Sequence, residues 1–484
     1  MSLTLKTAKS IKWLTSAGMA ERVIQTGTTV VLARILGPSD FGLFAMAFVA
    51  MRGLNFLRSF GFDTALIRYK GDMDKAAATA FCITPIMGIV IFLGLYLCAP
   101  FLASFFNNDK LTAIIRVLGV MFVLTSISRV SGAIMERKML FRQLSIIDVL
   151  TSVIFTSFAI PLALAGFGVM SLIYAYVLKI LFRTIMVIVM AGWKPRFAFD
   201  KQIAVEMFHF GKYRLAESLV EYFSRNTDNI IIGKFMGAVS LGYYNIAYNF
   251  SHLLGRYFMS GVNKVLYPAF NQVKDDNSNY RRIYLKSLLF LALLSIPFAT
   301  IIYFFSDDII NIIYGPKWLP AIPILKILVL ASTAGIIGSS IAPILLSKGR
   351  SGQAFYLTVV YTVVLVVVMI PLIIVFKLKG AASAYLIANF ARTVVGWRFL
   401  EDCIELRFSR IVEQFKLPLL ASSGMALIAF VVQTGASFFP LSGFVNVISF
   451  CLQFAVTGIS FLGAMYLFDR PVVFEIKRIL LSKM

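Results

Sequence analysis

The chain has 484 residues, of which 59% are hydrophobic and 14% are charged, and its formal net charge is +23. A soluble domain carries roughly 45–50% apolar and about 25% charged residues, so these charges are too few to cover soluble domains of this total length. The two histidines and the four cysteines, the latter in or beside apolar runs, predict neither a metal site nor a disulfide framework. The composition excludes a soluble enzyme, a secreted disulfide-rich module and a disordered chain. It predicts a polytopic membrane protein.

Apolar segments long enough to cross a bilayer follow one another along the whole chain. A membrane-spanning helix needs about 20 mostly apolar residues, and about fourteen segments meet this requirement. They are predicted at 14–36, 41–66, 77–104, 111–134, 145–166, 169–191, 216–236, 239–263, 285–305, 322–346, 353–376, 380–400, 416–435 and 444–467. Short turns with helix-breaking residues separate them, such as Gly37-Pro38-Ser39-Asp40 and Gly315-Pro316. The predicted fold class is therefore all-α.

The basic residues of the loops predict which way the spans point. With the N-terminus on the cytoplasmic side, most of the loop and tail Lys and Arg residues lie inside. The outer loops then hold only Arg34, Lys110, Lys234, Lys317, Lys377 and Lys379. Both termini are predicted to be cytoplasmic. The positive net charge then largely reflects the orientation of the spans in the membrane, so we do not interpret it as a sign of nucleic-acid binding.

An internal repeat relates two stretches of the chain at an offset of 200 residues. Residues 32–37, followed by Gly42, match residues 232–237, followed by Gly242, without a gap. Six predicted spans lie within one period, so both copies enter the membrane in the same direction, as in transporters built from parallel repeats. We predict an N-terminal lobe at 1–200 with spans one to six and a C-terminal lobe at 201–400 with spans seven to twelve. Two additional spans and a tail follow at 401–484.

Five basic residues lie near the centres of predicted spans, where an ionised side chain costs about 2.5–3.5 kcal/mol on insertion scales. They are Arg22, Arg52, Lys179, Arg183 and Arg225, and Asn55 shares a helix face with Arg52. Basic residues nearer the span ends are explained by snorkelling to the headgroups. We predict that these six residues line a cavity and bind substrate.

The seventh predicted span carries a polar stripe. At about 100° per residue, its charged residues fall on one helix face, and lipid cannot satisfy such a face. The stripe consists of Arg214, Glu217, Glu221, Arg225 and Asp228, and the first span repeats it more weakly with Glu21, Gln25 and Thr28. Two interpretations remain open for Glu21, Glu217, Glu221 and Asp228. In the first, these acidic residues couple transport to an ion. In the second, they form internal ion pairs that hold the lobes together.

Within the spans, basic side chains outnumber acidic ones, so the predicted cavity favours an anion such as a phosphate or a uronate. The chain has no Gly-x4-Gly-Lys-Ser/Thr motif, so it encodes no nucleotide-powered motor. The histidines His209 and His252 are isolated, and the carboxylate pair Asp72 and Asp74 lies on a short inner loop. We therefore expect no catalytic residue, no metal and no cofactor.

Three segments resemble the polysaccharide transporter family, the lipid-linked oligosaccharide flippases of the multidrug/oligosaccharidyl-lipid/polysaccharide exporter superfamily. The segments are Val31-Leu32-Ala33-Arg34-Ile35-Leu36-Gly37-Pro38-Ser39-Asp40-Phe41-Gly42, residues 228–237 and Tyr314-Gly315-Pro316-Lys317-Trp318-Leu319-Pro320-Ala321. The resemblance extends over essentially the full length and is nearest to exporters of the colanic-acid type. It implies that an undecaprenyl-diphosphate-linked oligosaccharide repeat unit is moved across the inner membrane of a bacterium, by alternating access through a cationic cavity. It implies transport without catalysis, with the glycan polymerase or export machinery as possible partners.

Three alternatives stay open at this point. A multidrug or cation antiporter of the same superfamily predicts a cavity dominated by acidic residues, the reverse of the charge balance in these spans. A membrane glycan-assembly enzyme predicts a large reactive outer loop, whereas the outer loops here are short. A non-transporting scaffold for a glycan synthase predicts that the charges within the spans are purely structural.

Overall fold

The structure, a computed structural model, describes residues 3–54, 62–69, 71–194, 196–255, 257, 270, 277–437, 453, 456–458 and 461. These residues form helices and their connections, and none of them lies in a strand, which confirms the predicted all-α class. Nine helical stretches in the described part of the chain are long and apolar enough to cross a membrane. The figure of about fourteen spans stays a prediction, because the last one, at 444–467, falls largely outside the described residues.

Eight helices account for most of the described residues up to position 251. They are α1 (Leu3–Ile35), α2 (Pro38–Leu54), α3 (Phe62–Arg68), α4 (Met73–Phe105), α5 (Lys110–Arg137), α6 (Phe141–Leu164), α7 (Val169–Ala191) and α8 (Lys201–Ser251). Helix α4 begins at a side-chain cap, since the Asp72 carboxylate accepts hydrogen bonds from the backbone N–H groups of Asp74 and Lys75. The Asp72–Asp74 motif thus has a local structural role as a helix cap.

The second half continues with helices of similar length and with shorter pieces. They are α9 (Asn277–Phe304), α10 (Ser306–Ile309), a π-helical turn (Ile310–Tyr314), a 3-10 segment (Pro316–Ala321), α11 (Ile322–Ser339), α12 (Ile341–Ser347), α13 (Ser351–Ile404) and α14 (Phe408–Ser437). The Gly315-Pro316 turn precedes the 3-10 segment, and Gly315 has a φ of 97°, a conformation that glycine adopts without steric cost.

Two of the helices are too long for one bilayer crossing and contain a sharp break. In α8 the backbone leaves the helical conformation at Gly237, with φ 76° and ψ −176°. In α13 it does so at Lys377, with φ 52° and ψ −132°. Each break falls between two spans that the sequence predicts, at 216–236 and 239–263 in α8 and at 353–376 and 380–400 in α13. Each long helix therefore corresponds to a pair of predicted spans.

The chain forms two compact units, Met1–Gly242 and Tyr243–Met484. Within the first, α1 packs against α6, α6 against α7, and α5 against both α4 and α7. Within the second, α9 packs against α14 and α11 against α13. The border between the units lies inside α8, whereas the lobes predicted from the repeat meet at residue 200. Those lobes stay a prediction.

In the first unit, the start of α2 lies against the segment of α8 that follows the break. A Cβ atom on Gly42 would overlap the carbonyl oxygen of Ala238, and one on Gly242 would overlap the carbonyl oxygen of Pro38. The obstacle in both cases is backbone, which cannot rotate away as a side chain can. Glycine at both positions therefore permits the close approach of the two segments.

Candidate functional site

A group of polar side chains joins α1, α6 and α7 within the first unit. Lys179 on α7 lies with its Nζ 3.6 Å from Oε1 of Glu21 on α1 and donates a hydrogen bond of 3.2 Å to Oγ of Ser152 on α6. The Ser152 hydroxyl in turn donates to Oε1 of Glu21 at 3.2 Å. Lys179 is 16% exposed and Glu21 is 27% exposed. The two charges thus compensate each other in a largely buried setting, with one hydroxyl bridging them.

Two further polar pairs join the same three helices. Arg183, one turn beyond Lys179 on α7, donates through Nε to Oδ1 of Asp148 on α6 at 3.2 Å. The hydroxyls of Thr28 on α1 and Thr156 on α6 lie 2.6 Å apart. The polar face that the sequence predicts on α1 is therefore matched by polar residues on α6 and α7.

The polar stripe of α8 is partly exposed and partly packed. Glu221 and Arg225 form an ion pair one turn apart, with 2.9 Å between Oε1 and Nε, and Arg225 is 74% exposed. Asn226 is buried and donates through Nδ2 to the carbonyl oxygen of Tyr222 at 2.9 Å. Its Oδ1 accepts a hydrogen bond of 3.4 Å from Nη1 of Arg52 on α2. Asn226, which follows Arg225 in the chain, thus links α8 to α2.

Asp228 lies deeper on the same helix. It is 3% exposed, and its Oδ1 accepts hydrogen bonds from the backbone N–H of Asn229 at 2.7 Å and from the Asn229 amide at 3.1 Å. Two local donors thus reach one oxygen of this carboxylate, which lowers the cost of burying the charge.

The structure therefore brings together some of the predicted site residues and not others. Lys179 and Glu21 meet directly, Arg225 meets Glu221, and Arg183 meets an acidic residue that was not among the predicted site residues. Arg22 is partly exposed on α1 next to Glu21. Asn55 and the side chain of Glu217 lie outside the described residues.

A second polar group, in the second unit, was missed in the site prediction. Arg392 on α13 donates through Nη2 to Oδ1 of Asn389 at 3.2 Å and to the carbonyl oxygen of Gly335 at 3.4 Å. Its guanidinium carbon lies 5.4 Å from the centre of the Tyr361 ring. Asn389 also donates to the backbone of Tyr385 at 2.9 Å. Residues 385, 389 and 392 follow the spacing of one helix face, which is the signal that could have identified them.

The hydroxyl of Tyr385 connects this group to the second half of α8. It lies 3.0 Å from Nε2 of His252 and 3.4 Å from the hydroxyl of Tyr248. The other ring nitrogen of His252, Nδ1, lies 3.0 Å from the Tyr248 carbonyl oxygen and 3.0 Å from the Ser251 hydroxyl. Within the described residues, no group of three or more His, Cys, Asp or Glu side chains is placed to hold a metal ion.

Comparison with known proteins gives matches that cover most of the chain. A family model described as "Polysaccharide biosynthesis protein" matches residues 31–323. The teichuronic acid biosynthesis protein TuaB of Bacillus subtilis is 27% identical over 446 residues, covering 91% of this chain and 92% of that protein. The lipopolysaccharide biosynthesis protein WzxC of Escherichia coli is 25% identical over 366 residues, covering 75% of this chain and 74% of that protein.

A solved structure shares the fold. The lipid II flippase MurJ, in an inward closed conformation, superposes with a TM-score of 0.76 over 94% of this chain and 98% of that chain, at 14% identity. At this identity the likeness concerns the fold. The helices described above therefore adopt the arrangement of a known multi-pass membrane protein.

Proposed function

The chain belongs to the polysaccharide biosynthesis protein family, and we propose on this premise that it moves an undecaprenyl-diphosphate-linked oligosaccharide repeat unit across the cytoplasmic membrane. The observation that carries the proposal is the match of nearly the whole chain to a relative named for the biosynthesis of a polymer. That relative is named for an acidic polymer, which agrees with the excess of basic over acidic side chains in the predicted spans. The family identified from the three sequence segments is confirmed.

The proposed activity is transport rather than catalysis. The chain is a multi-pass membrane protein, and its fold is shared with a flippase. Alternating access lets the polar glycan cross while the polyprenyl tail stays in lipid. No covalent bond is formed or broken in this process. The side chains instead form hydrogen bonds and charge contacts that replace the hydration lost by the glycan and its diphosphate.

Basic side chains carry the substrate-binding part of the proposal. Arg22, Arg52, Lys179, Arg183 and Arg225 are proposed to neutralise the diphosphate or acidic sugars in the cavity, and Asn55 is proposed to hydrogen-bond to the same substrate. A distance of 3.6 Å between Lys179 and Glu21 is a charge contact longer than an N–H···O hydrogen bond. A diphosphate carries more charge than one carboxylate and therefore competes effectively for the lysine.

The acidic partners then have a role while no substrate is bound. Glu21 and Glu221 each hold a basic side chain in the structure, which keeps that charge compensated in the empty protein. Displacement of such a carboxylate by the substrate leaves a group that can take up a proton or a cation. Glu21, Glu217, Glu221 and Asp228 are therefore the proposed coupling residues.

The proposed orientation places both termini in the cytoplasm, as the distribution of basic loop residues predicts. The repeat unit would then be taken up at the inner face and released at the outer face of a bacterial inner membrane. The enzyme that polymerises the released units, or the export machinery, is the proposed protein partner.

Cells that lack their own flippase provide the test. Wild type, Arg52→Ala and Arg225→Ala are compared at equal membrane abundance for surface polysaccharide and for lipid-linked precursor. Arg410→Ala is a matched control, because it removes an exposed arginine that pairs with Glu413 one turn away on α14. We expect wild type and the control to export the glycan, and the two other variants to accumulate precursor. Failure of the wild type would contradict the proposed function, and normal export by both variants would contradict the cationic cavity.

A further inference from the structure

We propose that Arg392, with Tyr361, Tyr385 and His252, forms a subsite for a carboxylate-bearing sugar in the second unit. The proposal rests on the proposed function for its biological substrate, but the geometry of the site stands independently. It adds a residue to substrate recognition that lies outside the basic residues of the first unit.

Within the described part of the chain, the guanidinium of Arg392 has hydrogen-bond partners but no counter-ion. Its Nη2 donates to the Asn389 side chain and to the Gly335 carbonyl oxygen, both of which are neutral acceptors. Its Nε is buried and has no hydrogen-bond partner among the residues that the structure describes. Among the described residues, Arg392 makes no ion pair. Lys179, Arg183 and Arg225, in contrast, each lie within 4 Å of a carboxylate.

This arrangement is costly for a purely structural residue. A charge within a membrane-spanning helix is expensive, and a buried N–H without a partner adds the cost of its lost hydration. Neutral side chains could join α11 to α13 without either cost. An anion bound beside Arg392 would compensate the charge and accept hydrogen bonds from the donors that Asn389 and Gly335 leave free.

The neighbours of Arg392 favour a sugar. The Tyr361 ring lies beneath the guanidinium, and its centre is 6.1 Å from that of Tyr385. The Tyr385 hydroxyl reaches His252, which, like Arg392, keeps part of its surface exposed. Hydroxyl and imidazole groups exchange hydrogen bonds with sugar hydroxyls in either direction, because each is both donor and acceptor.

Arg392 is the one arginine or lysine among the described residues assigned to this subsite, and one such cation favours a carboxylate over a diphosphate. A sugar carboxylate carries one negative charge, which one guanidinium compensates, and its two oxygens match the planar guanidinium. A diphosphate carries more charge than one arginine compensates. The subsite is therefore assigned to an acidic sugar of the glycan.

Binding is measured first on the purified full chain in detergent. The probes are sodium glucuronate, glucose and sodium pyrophosphate at equal ionic strength, and the readout is the unfolding temperature followed by tryptophan fluorescence. We expect glucuronate to stabilise wild type and Arg398→Gln, which removes an exposed arginine from the same helix. In Arg392→Gln the half-saturating concentration should rise about tenfold, the loss expected for one charge-assisted contact.

Arg392→Lys keeps the positive charge. It provides a second test in case Arg392→Gln does not fold. It should retain a weakened response, since an ammonium cannot replace the planar pair of donors. The same glucuronate response in wild type and Arg392→Gln would overturn the subsite, as would the absence of a response in wild type. A response to pyrophosphate that depends on Arg392, and none to glucuronate, would overturn the carboxylate assignment.

Export in cells separates this proposal from the proposed function. Arg392→Gln should reduce the export of a repeat unit that contains a uronic acid more than that of a neutral repeat unit. A glucuronate response that depends on Arg392, in a protein that exports no glycan in any host tested, would support the subsite and contradict the flippase function. Export that is unaffected by Arg392→Gln for both repeat units would contradict the subsite and leave the function standing.

Discussion

Gly42 and Gly242 are related by a reciprocal contact, since each lies against a carbonyl oxygen close to the other. The oxygen that blocks a Cβ on Gly42 belongs to Ala238, and the one that blocks a Cβ on Gly242 belongs to Pro38. The residues that supply these carbonyl groups, Pro38 and Ala238, differ by 200 in residue number, and so do the two glycines. The offset seen in the sequence therefore has a structural counterpart, in which each copy of the turn supplies both a glycine and a carbonyl group to the other.

Replacing either glycine by alanine should destabilise the protein. Gly42→Ala or Gly242→Ala forces backbone apart, and overpacking of this kind typically costs about 1–3 kcal/mol. Thermal unfolding in detergent measures the effect. The control is Gly94→Ala in α4, where an added Cβ meets nothing within 4 Å. Unfolding temperatures for the Gly42 and Gly242 variants no lower than that of the control would show that the two turns can move apart without cost.

The pair formed by Lys179 and Glu21 should show energetic coupling. Both side chains are mostly buried, so removing one charge leaves the other uncompensated. A double-mutant cycle with Lys179→Met and Glu21→Gln is expected to give a coupling of about 1 kcal/mol in unfolding free energy, within the range for residues in contact. Additive effects of the two substitutions would mean that Ser152 or water, rather than the charge contact, satisfies each group.

Arg225→Ala should separate stability from transport. An exposed ion pair one turn apart on a helix contributes about 0.3–0.5 kcal/mol, so loss of Arg225 should leave the unfolding temperature almost unchanged. Export should nevertheless fall if this arginine binds the substrate. Both quantities are measured on the same preparation. A parallel loss of unfolding temperature and export would instead assign Arg225 a structural role.

Asp308 gives a prediction for pH dependence outside the membrane-spanning helices. Burial, together with the neighbouring charge of Asp307, raises the pKa of the Asp308 carboxyl, while a hydrogen bond from Gln433 opposes the shift. A raised pKa means that the folded protein favours the protonated form. The contribution of Asp308 to stability is therefore present below the unfolded pKa and is lost as the pH rises through the folded pKa.

The substitution Asp308→Asn should consequently stabilise the protein at neutral pH, and the gain should shrink as the pH is lowered. Unfolding temperatures between pH 4 and pH 8 measure the trend. Asp307→Asn is the matched comparison, because Asp307 pairs with Lys326 at 2.7 Å and its loss should not stabilise the protein. Equal unfolding temperatures for wild type and Asp308→Asn across this range would show that hydrogen bonding by Gln433 cancels the effects of burial and of Asp307.

Much of the fold could be predicted because bilayer thickness determines the length of each apolar run. The breaks at Gly237 and Lys377 fall where two runs meet, so the sequence indicates them without any knowledge of packing. The partner of Lys179 could not be predicted, because Glu21 is distant in sequence and meets it only when α1 packs near α7. Arg392 was visible as a charge in a span. Its significance depends on the lack of an ion pair with any described residue, which only packing reveals.

The break at Lys377 also bears on how the chain enters the membrane. One non-helical residue joins the two halves of α13, so neither half can complete its crossing far ahead of the other. The two spans should insert together as a helical hairpin. Under the predicted orientation, Lys377 and Lys379 are the exception to the excess of positive charge inside. Insertion as a pair would carry both lysines across the bilayer at the tip of the hairpin, so that the hydrophobic gain of two spans offsets the cost of transferring two charges.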